Sequence, residues 1–179
     1  MDLNLGDRME RRQFLKRSFL AGTAVSLGLS TKRSIGEIFD EQENRAGYIP
    51  RRQYGKTRTK LSIIGFGGIV VTDTKQEDAN RYVSEAYEQG VNYYDVAPTY
   101  GNAQDRLGPA LEPYRKKVFL ACKTTQRDYE SAKKEFEESL KKLRTDYFDL
   151  YQLHAITDVE KDVDRAFASD GAMKLLLEE

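Results

Sequence analysis

Short apolar runs alternate with helix-like segments after residue 60, and this alternation restricts the fold more than any other feature of the sequence. Strands are predicted at residues 61–66, 91–96, 118–123 and 147–154. Helices are predicted between them, including 105–111 and 131–143, and the apolar spacing at 131–143 is that of an amphipathic helix. Strands that alternate with helices pair in parallel through right-handed crossovers. The sequence therefore predicts an α/β fold on a parallel sheet, either an open doubly wound sheet or a closed barrel.

The first helix carries signals for both of its ends. Thr74 and Glu77 have the spacing of a capping box, and Gly90 is a typical residue just beyond a helix. Five apolar residues between these signals share one helical face: Ala79, Tyr82, Val83, Ala86 and Tyr87. Asp170 is the expected N-cap of a fourth helix near the end of the sequence.

Three glycines follow the start of the first predicted strand, at Gly65, Gly67 and Gly68. They suggest the glycine-rich turn of a dinucleotide-binding sheet, but the third glycine of that fingerprint would fall at Val70. A tight turn from a strand into a helix explains the same glycines without a ligand. The open doubly wound sheet is therefore the weaker of the two architectures.

Polar residues lie at the carboxyl ends of the later strands. Asp95 closes the second strand, and Tyr100 lies in the loop after it. Lys123 ends the third strand and His154 ends the fourth. In a parallel β/α barrel this edge is where catalytic groups from different strands assemble. We therefore expect the four side chains to converge.

These four side chains have the chemistry needed to reduce a carbonyl group. Hydride addition leaves an alkoxide, so a positioned proton donor raises the rate, typically by ~10² to 10⁴-fold. Tyr100 is the candidate donor, because an ammonium such as that of Lys123 stabilises a phenolate and strengthens the phenol as an acid. Asp95 is suited to hold Lys123 in place, and His154 to donate a hydrogen bond to the carbonyl oxygen. No metal ion is needed, and one cysteine and one histidine exclude an all-cysteine or multi-histidine site in this chain.

Four motifs carry a family resemblance: GFGG at 65–68, YDVAPTYG at 94–101, ACKT at 121–124 and TDYFDLYQLH at 145–154. In this order and at these intervals they closely resemble the aldo-keto reductases. The resemblance implies a parallel (β/α)8 TIM barrel and an NAD(P)H-dependent oxidoreductase that reduces an aldehyde or ketone, usually with NADPH. It implies catalytic roles for Asp95, Tyr100, Lys123 and His154, and cofactor-binding roles for Gly67, Gly68 and Asp95.

Each of these residues has an ordinary interpretation when it is taken alone. A buried aspartate often bonds only to the backbone, and a lysine usually points to solvent. The joint spacing of all four favours catalysis. By contrast, Tyr147, Asp149 and Tyr151 are predicted to be structural, and Cys122 is predicted to face the helices as an inert buried thiol.

Residues 1–34 resemble a twin-arginine export signal. The residues RRQFLK at 11–16 match its consensus, and an uncharged stretch follows at 18–30, too short for the ~20 residues that span a membrane. The alternative is a basic amphipathic helix. The signal predicts a partner, the twin-arginine translocase, and a periplasmic or other extracytoplasmic location, with membrane tethering if the signal is not cleaved. Residues 35–53 are predicted to be a linker.

Residues 54–179 form the predicted aldo-keto reductase domain, with only about the first four of the eight units of a barrel. We expect most of the cofactor site to be missing and the domain to be inactive alone. The alternative is a non-catalytic half-barrel, a binding or structural subunit that self-associates through its open edges, since Phe119 and Ala121 would lack an opposite wall.

Basic and acidic residues balance at 29 each, so no nucleic-acid partner is indicated. The expected ligand is a small carbonyl substrate.

Overall fold

An antiparallel hairpin opens the part of the chain that the computed structural model describes, residues 47–178. Strand β1 (Arg51–Gln53) pairs with strand β2 (Lys60–Ser62). Asn92 fastens β2 to the rest of the fold, because its side chain accepts the Ser62 N–H at 2.7 Å and donates to the Lys60 carbonyl at 2.9 Å. The predicted linker at 35–53 is therefore wrong at its carboxyl end, where the last three residues form a strand.

The single strand predicted at residues 61–66 is also wrong. The chain leaves β2 after Ser62 and enters a different sheet at β3 (Phe66–Gly67). Ile63 and Ile64 lie in the bend between the two strands and are exposed, and Ser62 Oγ donates to the Ile64 carbonyl at 2.8 Å. A continuous apolar run carries no periodicity that would reveal such a break.

A parallel sheet of four strands follows, with the strands adjacent in chain order. After β3 come β4 (Tyr93–Asp95), β5 (Phe119–Thr124) and β6 (Leu150–Leu153). Asp95 stands beside Ala121, and Lys123 stands beside Gln152. The predicted α/β fold with parallel pairing is confirmed, and these three strands overlap the predicted regions, with ends that differ by one to three residues.

Helices connect the parallel strands. Helix α1 (Gln76–Glu88) lies between β3 and β4, α2 (Ala103–Leu111) between β4 and β5, and α3 (Tyr129–Leu143) between β5 and β6. A 3-10 helix at Gly68–Val71 precedes α1, and a second at Glu112–Lys117 precedes β5. After β6 come a π-helical turn, Val159–Asp164, and two short helices, α4 (Arg165–Phe167) and α5 (Ala172–Glu178). The π-helical turn and α4 were not indicated by the sequence.

One face of β5 packs against the helices. Leu120 and Cys122 belong to a buried cluster that includes Val83 of α1 and Leu107 of α2. The alternation of side chains along a strand places these two residues on the same face. The prediction that Cys122 faces the helices is confirmed.

The opposite face of β5 is better covered than the sequence suggested. Ala121 is 0% exposed, so the expectation that it would lack cover is wrong. Phe119 contacts Tyr54, which follows β1, with ring centres 6.0 Å apart, and Tyr93 of β4 at 5.8 Å. Aromatic side chains from the hairpin region and from the neighbouring strand thus shield part of this face.

The sequence predicted the end of α1 correctly but not its start. The helix begins after Lys75 without a side-chain cap, and Thr74 Oγ1 donates instead to the Val71 carbonyl at 2.8 Å. The predicted capping box is therefore wrong. Gly90 ends the helix as predicted, with φ of +101° and its N–H bonded to the Tyr87 carbonyl at 2.9 Å. The left-handed conformation required there suits glycine.

Helix α5 returns to the start of α3. Its predicted cap is wrong, because the helix begins two residues after Asp170, whose carboxylate accepts two hydrogen bonds from Arg165. The Asp170 carbonyl accepts the N–H of Tyr129 at 2.9 Å. The side chain of Asp128 caps α3 by accepting the N–H of Ser131 at 2.9 Å.

Residues 1–46 lie outside the described residues, and with them the predicted export signal and most of the predicted linker. Within residues 47–178, no helix has both the length and the apolar character required to cross a membrane.

Candidate active site

The parallel register brings the predicted strand-end residues to one edge of the sheet. Asp95 is the last residue of β4, and Lys123 lies one residue before the end of β5. His154 follows β6 directly, and its N–H donates to the Thr124 carbonyl at 2.8 Å. Tyr100 lies in the loop after β4, where its carbonyl accepts a hydrogen bond from Thr72 Oγ1 at 3.0 Å. All four residues are thus delivered to the carboxyl ends of the strands.

Lys123 is the centre of this group. Its ammonium forms an ion pair with Oδ1 of Asp95 and donates to the Val96 carbonyl at 3.4 Å. The same ammonium lies 5.4 Å from the centre of the Tyr100 ring. The side chains of Lys123 and Asp95 are 13% and 25% exposed, so the pair is largely shielded from water and lies within reach of the phenol.

His154 lies against the same tyrosine. The two rings meet edge to face with their centres 5.8 Å apart and an angle of 86° between their planes. Nδ1 of the imidazole lies 3.4 Å from Thr99 Oγ1. The structure therefore brings Asp95, Tyr100, Lys123 and His154 together, while their catalytic roles stay predictions.

The two glycines predicted to bind the cofactor differ in their surroundings. A Cβ atom added at Gly67 would meet nothing within 4 Å, so a ligand has room to approach this backbone. A Cβ atom at Gly68 would lie 2.9 Å from the Asp95 carbonyl oxygen. Gly68 therefore has a packing reason to be glycine, because the turn presses against the end of β4.

Three residues near this cluster were not singled out from the sequence. Thr99 contacts His154, and its position next to Tyr100 in the sequence could have indicated that it lies in the site. Tyr93 donates to Oδ2 of Asp95 at 3.4 Å, as its spacing of two along the same strand would allow. Burial, and then the Asp95 carboxylate, raise the pKa of Tyr93 above its ordinary value. Arg127 donates to the His154 carbonyl at 2.6 Å, and nothing in the sequence indicated that contact.

The residues predicted to be structural lie in packing roles. Asp149 pairs with Arg115 at 2.9 Å, and the guanidinium of Arg115 stacks over the Tyr147 ring at 3.8 Å. Tyr151 packs against the core. Burial raises the pKa of Cys122 to about 11, so its thiol stays protonated at neutral pH. No group of three or more potential metal ligands occurs among the described residues.

Comparison with known proteins identifies the family. The model of the Aldo/keto reductase family matches residues 63–175. The chain belongs to the aldo/keto reductase family. The matched residues contain every member of the candidate site.

Relatives in this family match over part of their own length. L-galactose dehydrogenase of Arabidopsis thaliana is 33% identical over 123 residues, which are 60% of this chain and 39% of that protein. Aldo-keto reductase YhdN of Bacillus subtilis is 35% identical over 113 residues, 55% of this chain and 34% of that protein. The solved holo form of an aldo-keto reductase from Bacillus halodurans superposes with a TM-score of 0.59 at 30% identity, covering 66% of this chain and 44% of that one. The chain spans less than half the length of these proteins.

The solved aldo-keto reductases also identify the architecture. Their likeness confirms the predicted TIM-barrel type, of which this chain contains part. The parallel strands β3 to β6 and their helices are half of the eight units of such a barrel.

Proposed function

We propose that the candidate active site reduces an aldehyde or ketone to an alcohol, as part of an NAD(P)H-dependent oxidoreductase. One observation carries this proposal: the Lys123 ammonium, paired with Asp95, lies 5.4 Å from the centre of the Tyr100 ring. The His154 ring meets the same tyrosine. An ammonium and an imidazole beside one phenol suit proton delivery to a single oxygen atom.

The chemistry follows from the side chains. Bound NADPH, the usual donor in the family that the sequence resembles, would supply a hydride to the carbonyl carbon. Tyr100 donates its hydroxyl proton to the carbonyl oxygen as negative charge develops there. Lys123 stabilises the phenolate that remains, and Asp95 holds the ammonium in place.

His154 orients the carbonyl group in this scheme. Thr99 Oγ1 lies beside Nδ1 of the imidazole, which leaves Nε2 to donate a hydrogen bond to the carbonyl oxygen. Two donors on one oxygen fix its direction, which favours the reacting geometry over others.

Gly67, Gly68 and Asp95 are the residues that we propose at the cofactor. The open space at Gly67 fits the close approach of a flat ring or a phosphate to the backbone. Gly68 keeps the turn against β4, so its contact would be made through the backbone.

We also propose that residues 54–179 are inactive by themselves. The described sheet contains four parallel strands, whereas the barrel has eight. In the family that the sequence resembles, loops after the later strands hold most of the dinucleotide. A chain with only these strands therefore lacks much of the cofactor site.

The test restores a whole barrel. NADPH oxidation with benzaldehyde is measured for the full chain and for a chimaera in which residues 47–179 precede the carboxyl-terminal half of the Bacillus halodurans reductase. We expect turnover from the chimaera and none from the chain. Turnover by the chain alone would refute the proposed inactivity. A folded chimaera that binds NADPH without turnover would refute the proposed active site.

A second candidate function is a non-catalytic half-barrel that acts as a binding or structural subunit by self-association. Apolar side chains exposed around β3 favour it: Ile63, Ile64, Ile69 and Val70. Strands β3 and β6 are the edges of the parallel sheet within residues 47–178. Analytical ultracentrifugation of the full chain decides between the two, because a stable dimer together with an inactive chimaera supports this function and a monomer excludes it.

We propose in addition that Arg11 and Arg12 direct the chain to the twin-arginine translocase and so to an extracytoplasmic location, with membrane tethering if the signal stays uncleaved. The test fuses residues 1–53 to a reporter that is active only outside the cytoplasm. Replacing both arginines with lysine should abolish reporter activity. Unchanged activity would contradict the proposed route.

A further inference from the structure

Arg127 binds the loop that carries His154. It lies between β5 and α3, and its Nη2 donates to the carbonyls of His154 at 2.6 Å and Ala155 at 3.3 Å. Its Nη1 donates to the carbonyls of Thr124 at 3.5 Å and Gln126 at 3.3 Å. One guanidinium therefore joins the loop after β5 to the loop after β6.

Asp162 completes this connection from the other side. Its Oδ1 accepts a hydrogen bond from Arg127 Nε at 3.1 Å, and its Oδ2 accepts the N–H groups of Thr157 at 2.7 Å and Asp158 at 2.9 Å. The side chains of Arg127 and Asp162 are only 11% and 16% exposed. The backbone from residue 154 to 158 is thus held at both ends by one shielded ion pair.

The backbone beside His154 needs such support. Ala155 has φ of +54°, in the left-handed region that residues with a Cβ atom rarely adopt. Conformations of this kind persist where the surroundings hold them in place. The carbonyl of Ala155 is one of the groups that Arg127 binds.

We propose that Arg127 is a positioning residue for His154, with Asp162 as its anchor. It holds the His154 carbonyl and the left-handed turn at Ala155, and this sets the imidazole against Tyr100. The catalytic meaning of that position rests on the proposed function, but the positioning itself does not. A planar guanidinium donates in several fixed directions at once, which the compact ammonium of lysine does not do.

The sequence contains a single histidine, so the imidazole NMR signals of the full chain belong to His154 alone. The experiment compares Arg127→Lys with Arg115→Lys, which removes a similarly shielded guanidinium at the opposite edge of the sheet. Both variants keep the positive charge and lose the fork of donors. The readout is the nuclear Overhauser cross-peak between the rings of His154 and Tyr100, whose centres lie 5.8 Å apart.

We expect the cross-peak to be lost in Arg127→Lys and retained in folded Arg115→Lys. Asp162→Asn is the second variant, which removes the anchoring charge but keeps Arg127, and it should weaken the same cross-peak. An undiminished cross-peak in folded Arg127→Lys would overturn the proposal. If Arg127→Lys does not fold, an undiminished cross-peak in Asp162→Asn overturns it. Because no turnover is measured, failure of the proposed reductase activity would leave this result unaffected.

Discussion

Two shielded ion pairs lie at opposite ends of the parallel sheet. Arg115 and Asp149 pair at the amino ends of β5 and β6, with side chains 8% and 25% exposed. Lys123 and Asp95 pair at the carboxyl ends of β5 and β4, with side chains 13% and 25% exposed. Their burial is nearly equal, so burial alone does not distinguish the pair at the proposed active site from the pair at the opposite end of the sheet.

The pairs differ in how fully their donors are used. Besides Asp149, the nitrogens of Arg115 bond to the carbonyls of Val118 at 3.2 Å and Tyr147 at 2.8 Å, and to Thr145 Oγ1 at 2.8 Å. All three nitrogens of the guanidinium have partners, and the Tyr147 ring covers its face. A group bound in this way stabilises the fold and has little capacity left for a ligand.

Lys123 has a different neighbourhood. It bonds to one carboxylate and one distant carbonyl, and it faces the Tyr100 ring. In β/α barrels the carboxyl ends of the strands carry catalysis and the amino ends carry stability. The free neighbourhood of Lys123 thus supports the catalytic role that we propose for it, and the saturated hydrogen bonding of Arg115 supports a structural one.

The largest expected effect comes from Tyr100→Phe in the chimaera with the Bacillus halodurans reductase. Loss of the hydroxyl should lower the rate of benzaldehyde reduction by about 10² to 10⁴-fold, because the proton donor is removed. The ring that faces Lys123 and His154 remains, so the free energy of unfolding should change by no more than about 0.5 kcal/mol. Steady-state kinetics measures the rate, and urea unfolding measures the free energy of unfolding. A large loss of stability would mean that Tyr100 is a structural residue, as Arg115 is.

Arg115→Met should show the reverse pattern. It leaves the Asp149 carboxylate without its cation and frees the carbonyl of Tyr147, so the free energy of unfolding should fall by about 3–5 kcal/mol. Urea unfolding of the full chain measures this loss. The exposed pair of Arg144 with Glu112 is the control, and Arg144→Met should cost no more than about 1 kcal/mol. Equal losses in both variants would contradict the structural role of Arg115.

Gly68→Ala and Gly67→Ala form a matched pair at the carboxyl end. The added methyl group at Gly68 would press on the Asp95 carbonyl oxygen at 2.9 Å, and the turn would have to shift at a cost of about 1–3 kcal/mol. The methyl group at Gly67 meets nothing within 4 Å, so stability should be unaffected. In the chimaera, Gly67→Ala should weaken the binding of NADPH, because we propose that this backbone contacts the cofactor. Unchanged affinity would remove Gly67 from the cofactor site.

The smallest expected effect is the pH dependence at Asp162. Hydrogen bonds from the backbone of Thr157 and Asp158, and the charge of Arg127, lower the pKa of Asp162 to about 2, from 3.8 in its ordinary state. A lowered carboxyl pKa adds stability that is present above the ordinary value and is lost as the pH falls through the folded value. The difference in Tm between the unchanged chain and Asp162→Asn should therefore be constant above pH ~5 and shrink toward pH ~2. A difference independent of pH would show that the carboxylate charge contributes nothing.

Much of the candidate site could be predicted because its signals are local. Asp95, Lys123 and His154 lie at or near the ends of runs that form parallel strands, and such strands bring their carboxyl ends to one edge. The helix caps were less predictable. Thr74 has the spacing of a capping box, but its hydroxyl bonds to Val71 instead, and a spacing pattern does not express that competition.

The sequence by itself determined the alternation of strands and helices, the face of β5 that Cys122 occupies and the edge to which the polar residues are delivered. These follow from periods of two and 3.6 residues, which are properties of neighbouring positions. Only the tertiary structure decided the bend at Ile63 and Ile64 and the difference between Gly67 and Gly68. It also decided the attachment of Arg127 to His154 and Asp162, which are 27 and 35 residues away. Such contacts depend on where distant segments meet in the fold, and the hydrophobic period of a short segment does not predict them.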